Sequence, residues 1–278
     1  MLTSVRMALT AHAQPGVISV ETATRLCGSH PSSYDRFMCG RFAMDSSVNE
    51  MITEFVEATG RPPEQWQLDW KPSYNVRPTD PVPVLLETPV DRADPLGPTI
   101  RRAELAQWWL TPSFAKELKG RNPTFNARSE TVTTLASFKG SVTKQRAVIP
   151  AIGYYETKTE GSRKTPYFIH PADGLLYFAG LYSWWVDPTK ERSDPSRWHL
   201  TATIMTRPAV GEIADIHDRT PVTLPFDMID DWIDPRTVGD KALVDAAVAA
   251  ATPVAESLQF HRIASPIRGD SPEMIQPV

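Results

Sequence analysis

The chain has 278 residues, of which 41% are hydrophobic and 22% are charged, and these ordinary proportions exclude a mainly disordered protein. The formal net charge of -4 argues against a nonspecific binder of duplex DNA, because such domains are usually basic. The sequence contains no run of about 18 apolar residues, the length that a membrane-spanning helix requires. Its two cysteines, Cys27 and Cys39, are too few for a disulfide scaffold or a four-cysteine zinc site.

Residues 1–37 differ in composition from the rest of the chain. They are rich in Ser, Thr and Ala and show no sustained periodicity, which predicts a disordered extension or a start codon placed too far upstream. Their longest apolar-leaning run, residues 16–20, is too short for a secretory signal, and Glu21 and Asp35 disfavour a transit peptide. We predict one folded domain at residues 38–278.

The elements predicted within this domain combine helices and strands. Residues 44–60 predict a helix, because one face carries apolar side chains at helical spacing: Val48, Met51, Ile52, Phe55 and Val56. Runs rich in β-branched and aromatic residues predict strands at residues 82–86, 103–110, 146–149, 166–170, 176–186 and 200–206. Further helices are expected at residues 129–138 and 242–251. The predicted fold class is α+β: a single domain built on a curved, mainly antiparallel β-sheet with a barrel-like core and flanking helices.

Cys39 directly follows a methionine in the segment Met38-Cys39-Gly40-Arg41-Phe42. If translation starts at Met38 and that methionine is removed, Cys39 carries a thiol and a free α-amine. Their ordinary pKa values, about 8.5 and about 7.7–8.0, leave both groups reactive near neutral pH. Such a pair can condense with an aldehyde and close a thiazolidine ring. The alternative is an inert, buried internal cysteine.

The segment Phe125-Asn126-Ala127-Arg128-Ser129-Glu130 offers groups for an anionic ligand. Arg128 can hold a phosphate or a carboxylate through two parallel hydrogen bonds, and Asn126 supplies an amide donor and acceptor. A helix cap with a surface ion pair is the alternative.

Glu156 follows two tyrosines at the end of a predicted strand–turn–strand segment, residues 146–156. Apolar surroundings raise the pKa of a carboxyl group by desolvation, which suits a general acid or base. An exposed strand glutamate is the alternative.

His217 lies beside carboxylates in residues 213–221. An imidazole titrates near neutrality and can carry a proton, although a solvated or structural histidine is the alternative. The other histidines outside the extension lack metal-ligand spacing, so we predict no metal site: His170, His199 and His261.

Trp108 and Trp109 end a predicted strand. Adjacent strand residues face opposite sides, so one tryptophan could pack inside while the other stacks on a nucleic-acid base. Burial of both is the alternative. Basic residues near these segments could form a phosphate-binding strip or remain scattered surface charge: Arg101, Arg102, Arg121, Arg128, Lys139 and Lys144.

Six short segments follow one another at residues 38–42, 74–79, 108–114, 126–130, 149–156 and 216–221. In this order, from Met-Cys-Gly-Arg-Phe to Ile-His-Asp-Arg-Thr-Pro, they resemble the motifs of the SOS response-associated peptidase (SRAP) family of abasic-site processing proteins. The resemblance extends over about residues 38–275.

The resemblance implies a function and the residues that perform it. Members of the family bind single-stranded DNA at abasic sites, and their N-terminal cysteine forms a stable thiazolidine cross-link with the ring-opened sugar. On this pattern Cys39 is the nucleophile, and Glu156 assists ring opening. His217 acts as acid and base, and Asn126 orients the amine or the sugar. The DNA-binding set comprises Arg41, Trp108, Trp109, Arg128 and Thr206, with Arg77 as a further phosphate contact.

The N-terminal extension conflicts with this chemistry, because Cys39 has no free amine while residues 1–38 are attached. Three explanations are open: a misplaced start codon, autoproteolytic removal of the segment, or an extension that disables the reaction. Trp109 and Thr157 also stand where the family usually has glycine and tryptophan.

Two other function classes remain open from the sequence. They are a cysteine-dependent peptidase that acts on other proteins and a non-catalytic module that binds single-stranded DNA. For the cross-linking protein we expect a monomer in the cytoplasm, associated with the nucleoid when bound to DNA, that needs no cofactor and no membrane.

Overall fold

Residues 40–57 and 68–278 are described by the computed structural model and form twelve strands and four α-helices. Cys39 and the predicted extension at residues 1–37 lie outside the described residues, so the predicted domain boundary stays a prediction. The helices are α1 (Ser47–Glu57), α2 (Ala136–Lys144), α3 (Ile229–Ile233) and α4 (Lys241–Ser257). The strands are β1 (Phe42–Met44), β2 (Ser73–Val76), β3 (Pro81–Pro89), β4 (Thr99–Trp108), β5 (Asn126–Arg128), β6 (Arg146–Ala151), β7 (Gly153–Glu160), β8 (Arg163–His170), β9 (Leu176–Val186), β10 (Trp198–Pro208), β11 (Arg219–Pro221) and β12 (Gln259–Arg262).

Five strands close into a barrel in the order β10-β4-β3-β6-β9, because β9 pairs back onto β10. All neighbours in this ring are antiparallel except β4 and β10, which are parallel. β5 follows β4 along one edge of β10, and β11 follows β9 along the other. The last residues of β10 therefore lie between β5 and β11.

A second, antiparallel sheet has the order β12-β8-β7-β1-β2. Large aromatic side chains from both sheets pack edge-on between them: the ring of Phe42 lies 4.8 Å from that of Trp108 and 5.9 Å from that of Phe178. Burial of such rings supplies much of the free energy that holds two layers together. The α+β class and the barrel-like core are confirmed.

One predicted helix agrees with the structure in position and burial, and another is displaced along the chain. α1 begins at Ser47, and all five predicted apolar positions on its face are buried. The helix predicted at residues 129–138 is wrong in its position, since turns occupy residues 129–135 and α2 starts at Ala136. The hydroxyl of Thr134 donates to the carbonyl oxygen of Thr131, and such local bonds compete with a helix.

A fully buried arginine joins α2 to the segment after α3. All five N–H groups of Arg146 donate to backbone carbonyl oxygens, at 2.5–2.8 Å: those of Val142, Thr143, Trp232, Asp234 and Thr237. Gly239 packs so closely here that a Cβ atom would lie 2.0 Å from the Val142 oxygen. We call this arrangement the Arg146 clamp, and it fixes the start of β6.

Within the part of the chain that the structure describes, no helix combines the length and the apolar character that crossing a bilayer requires.

Candidate functional site

The alternation of β7 directs Glu156 toward His217. Tyr154 and Glu156 share one face of the strand and Tyr155 has the other. The hydroxyl of Tyr154 is hydrogen-bonded to that of Thr220 at 2.8 Å, which orients this face toward β11. Glu156 Oε2 accordingly lies 4.0 Å from Nε2 of His217, and the glutamate side chain is only 5% exposed. A carboxylate and an imidazole at this separation can both exchange protons with one ligand group that lies within hydrogen-bond distance of each.

Glu156 also lies beside the first described residues. Phe42 pairs with Tyr154 in the antiparallel β1–β7 ladder, and the N–H of Tyr155 donates to the carbonyl oxygen of Arg41 at 3.1 Å. Glu156 follows Tyr155 on β7, and Arg41 is two residues after Cys39.

The ring of His217 has one preferred proton position. Its Nδ1 lies 3.1 Å from the backbone nitrogen of Arg219, whose N–H can only donate. Nδ1 must therefore accept, and the proton of the neutral ring sits on Nε2, the nitrogen that faces Glu156. Nδ1 also lies 3.1 Å from Oδ1 of the exposed Asp218. That contact requires a protonated Nδ1 and thus competes with the bond from Arg219.

The side chain of Arg219 is buried behind this histidine. Its guanidinium holds both carboxylate oxygens of Glu130, with Nη2 2.9 Å from Oε2. Nη2 also donates to the carbonyl oxygen of Thr206 at 2.9 Å and to its hydroxyl at 3.2 Å. The hydrogen bond from Arg219 lowers the pKa of Glu130 to about 2.

Asn126 and Arg128 lie on β5, next to the end of β10. Asn126 pairs with Ile204 and Arg128 with Thr206 in the parallel ladder. Arg128 is exposed and Asn126 is half-buried. The two predicted ligand-binding residues thus share the strand that leads to Glu130.

A second cluster surrounds Arg41. Its Nη1 donates to Oδ1 of Asn75 at 3.0 Å and to the carbonyl oxygen of Ile267 at 3.4 Å. Nδ2 of Asn75 donates in turn to the carbonyl oxygen of Gly269 at 2.6 Å. The C-terminal segment, residues 263–278, therefore closes over β2 at this point. Sequence reasoning did not select Asn75, although it lies in the motif at residues 74–79.

The structure changes the assignment of three predicted DNA contacts. Trp108 is 0% exposed, and its Nε1–H donates to the carbonyl oxygen of Phe125 at 2.8 Å. Trp109 is also buried, with the ammonium of Lys119 4.8 Å from the centre of its ring. Thr206 is buried and bonded to Arg219. Both tryptophans are therefore buried, which is the alternative that the sequence left open, and neither presents a face to a base. Thr206 offers no exposed surface to DNA.

An aromatic side chain that the sequence reasoning passed over is exposed instead. Phe114, in the loop after β4, is 69% exposed. A hydrogen bond fixes the loop backbone next to Phe114: Nε1 of Trp185 donates to the carbonyl oxygen of Ala115 at 2.8 Å. The signal in the sequence was the position of Phe114 at the end of the motif at residues 108–114.

The predicted basic strip divides into two groups. Arg101 is paired with Glu87 and Asp230, and Arg102 with Glu104, so both are committed to carboxylates. The other members of the strip are exposed: Arg121, Arg128, Lys139 and Lys144.

Arg77 is exposed on the turn between β2 and β3. In the same turn Thr79 has φ of 84°, a left-handed conformation that a β-branched residue rarely adopts. Strain of this kind is concentrated at ligand-binding segments.

Among residues 40–57 and 68–278, no three histidine, cysteine or acidic side chains approach one another as they would around a metal ion.

The chain resembles known proteins over most of its length. A family model described as SOS response associated peptidase (SRAP) matches residues 38–268. "Abasic site processing protein YoaM" of Bacillus subtilis is 30% identical over 86% of this chain and 97% of its own length. "Abasic site processing protein HMCES" of Gallus gallus is 30% identical over 87% of this chain and 78% of its own.

A crystal structure of a protein from Bacteroides thetaiotaomicron has a similar fold. It superimposes with a TM-score of 0.66 at 21% sequence identity and covers 86% of this chain and 100% of that one. At this level of identity the likeness concerns the fold.

Proposed function

Since the chain belongs to the SOS response associated peptidase family, we propose that it binds single-stranded DNA at abasic sites and cross-links to them through Cys39. The curated relatives are named for abasic-site processing, which supports this substrate. We place the reaction in the cytoplasm, with the protein bound to the nucleoid as a monomer.

The proposed reaction requires the free α-amine of Cys39, and hence a chain without residues 1–38. The amine adds to the aldehyde carbon of the ring-opened sugar, and loss of one water gives an imine. The imine formed in this way keeps its N–H proton, and the thiol sulfur then adds to its carbon and gives up its own proton, which closes the thiazolidine. The product contains every atom of protein and DNA except that one water.

The pairing of Glu156 with His217 carries the proposal. The two side chains lie 4.0 Å apart, and the N–H of Tyr155, the neighbour of Glu156, donates to the carbonyl oxygen of Arg41. Glu156 is suited to take the proton that leaves the sugar hydroxyl on ring opening and to return it to the ring oxygen, which becomes a hydroxyl. His217, with its proton on Nε2, is suited to donate that proton to the departing water and to recover it from the thiol.

We assign DNA binding to four other side chains, of which Arg77, Phe114 and Arg128 are exposed and Arg41 is half-buried. Arg101 and Arg102 are held by carboxylates, whereas Arg128 is exposed and can contact a phosphate. Arg41 directly precedes β1, and Arg77 directly follows β2. Phe114 offers a face for stacking, which contributes about 1–3 kcal/mol per base. Trp108 then supports the site from within through its bond to Phe125.

Intact-protein mass spectrometry tests the proposal directly. The natively expressed protein is measured before and after incubation with a single strand that carries one abasic site. We expect the mass of a chain whose first residue is Cys39. After incubation we expect a covalent adduct whose mass is that of protein plus DNA less one water. Cys39→Ala, or chemical blocking of the N-terminal amine, should abolish the adduct.

The outcomes of that experiment separate the function classes. A protein that retains residues 1–38 and forms no adduct would contradict the cross-linking reaction. Cleavage of other proteins by a chain with a blocked amine would indicate a thiol peptidase. DNA binding that is indifferent to Cys39→Ala, without any adduct, would indicate a binding module.

Arg128→Ala should weaken binding to single-stranded DNA and reduce its dependence on salt. Loss of one phosphate contact lowers the slope of log K against log salt by about 0.7 for a single strand. Fluorescence anisotropy at several salt concentrations measures this slope. Arg92→Ala, in the exposed turn between β3 and β4, is the matched control and should leave it unchanged. An unaltered slope in the Arg128 variant would remove this residue from the interface.

A further inference from the structure

The ion pair between Glu130 and Arg219 has no part in the proposed reaction. The two residues are 89 positions apart in the chain: Glu130 lies in the turn after β5, and Arg219 begins β11. Arg219 is buried, whereas the side chain of Glu130 is 45% exposed. Glu130 compensates the charge of the buried guanidinium, and the pair also determines how Arg219 meets its neighbours.

The arrangement fixes the backbone of Arg219 as well as its side chain. The guanidinium is held by Glu130 from β5 and by the carbonyl oxygen and hydroxyl of Thr206 from β10. A side chain anchored on two strands leaves the residue little freedom to rotate. Its backbone N–H therefore keeps one direction, which is toward Nδ1 of His217 at 3.1 Å.

The direction of that N–H determines which ring nitrogen carries the proton. With Nδ1 as acceptor, the neutral ring has its proton on Nε2 and directs it at Glu156. The competing partner is Asp218, whose carboxylate lies 3.1 Å from the same Nδ1 and would stabilise a proton there. Glu156 thus faces the ring at Nε2 and Asp218 at Nδ1, and Glu130 acts on the ring through Arg219.

We propose that Glu130 and Arg219 are positioning residues, which select the His217 tautomer with its proton on Nε2 against the one that Asp218 favours. The effect of this tautomer on cross-linking rests on the proposed function, because its Nε2–H donates toward Glu156. Because the pKa of Glu130 is lowered to about 2, the ion pair stays charged over the whole range in which a histidine titrates.

The test reads the tautomer itself by ¹⁵N NMR of the histidine rings in the full chain, with the signals of His217 assigned by their loss in His217→Gln. In the unaltered protein we expect a non-protonated Nδ1 and a protonated Nε2. In Glu130→Ala the ratio of the two tautomers should shift toward Nδ1–H by about fivefold, the factor that one ordinary hydrogen bond carries. Glu130→Gln keeps the side-chain volume and should shift it less, in the same direction.

Glu191→Ala is the matched control, because Glu191 is exposed in the connection between β9 and β10. It should leave the ring signals of His217 unchanged. An unchanged tautomer ratio in both Glu130 variants, with the fold intact by circular dichroism, would overturn the positioning role whatever happens to activity.

Cross-linking measured on the same variants separates this role from the proposed function. In Glu130→Ala we expect the rate of cross-linking to an abasic single strand to fall about fivefold, in parallel with the tautomer ratio. The affinity for an intact single strand should stay within about twofold of that of the unaltered protein. A shifted ratio in a protein that never forms an adduct would refute the cross-linking function and leave the positioning role standing.

Discussion

Glu156→Gln should slow cross-linking to an abasic single strand by about 10²–10⁴, the range for loss of a positioned acid or base. The glutamine amide keeps the shape of the side chain but cannot take up a proton from the sugar hydroxyl. Affinity for the DNA should stay nearly the same, because the side chain of Glu156 is buried beside His217 and glutamine occupies the same space. Single-turnover kinetics with gel separation of the adduct measure the rate.

Glu160→Gln is the matched control for this variant. Glu160 lies on the same strand four residues further on, where it is exposed and 3.5 Å from Lys158, so its replacement should leave the rate unchanged. A wild-type rate in Glu156→Gln would exclude Glu156 from the proton transfers. An equal loss of DNA affinity would instead indicate that it holds the substrate in place.

Arg146→Met should lower the free energy of unfolding by about 3–5 kcal/mol. Methionine fills a similar volume but donates no hydrogen bond, so five backbone carbonyl oxygens lose a donor. Each buried group left without its partner costs about 1–3 kcal/mol, and relaxation of the segment after α3 recovers part of the sum. A loss of this size lowers Tm by roughly 6–20 °C for a domain of this size.

Arg163→Met provides the comparison, since Arg163 is exposed at the start of β8 and its replacement should change stability by less than about 0.5 kcal/mol. Gly239→Ala should destabilise the same clamp, because its Cβ would meet the Val142 oxygen. Thermal unfolding followed by circular dichroism measures all three. Equal Tm values for the Arg146 and Arg163 variants would show that the clamp is dispensable.

Strands and α1 were predictable because their signals are local. The apolar spacing of Val48, Ile52 and Phe55 is visible within eleven residues, and the structure buries all three. The long strands β9 and β10 lie where β-branched and aromatic residues cluster. The shortest strands, including β1, β5 and β11 with three residues each, carry too little pattern and exist because a neighbouring strand binds them.

The candidate site was partly predictable, because its residues stand in motifs that resemble a known family. Glu156 and His217 were named from the sequence, and the structure places them 4.0 Å apart. The burial of Trp108 was not decidable, since a strand residue can face either side until the layers are known. The pairing of Glu130 with Arg219 joins segments 89 residues apart and follows only from the placement of β5 and β11 on either side of β10.

The closure of the C-terminal segment over Arg41 has a consequence for the newly made chain. The carbonyl group that Arg41 binds belongs to Ile267, 226 residues later in the sequence. At about 5–20 residues per second, a ribosome needs roughly 11–45 s to travel from one to the other. The N-terminal side of the fold therefore waits for this partner until residue 267 has been made, and a nascent chain that stalls before Ile267 leaves Arg41 and Asn75 without the segment that binds them.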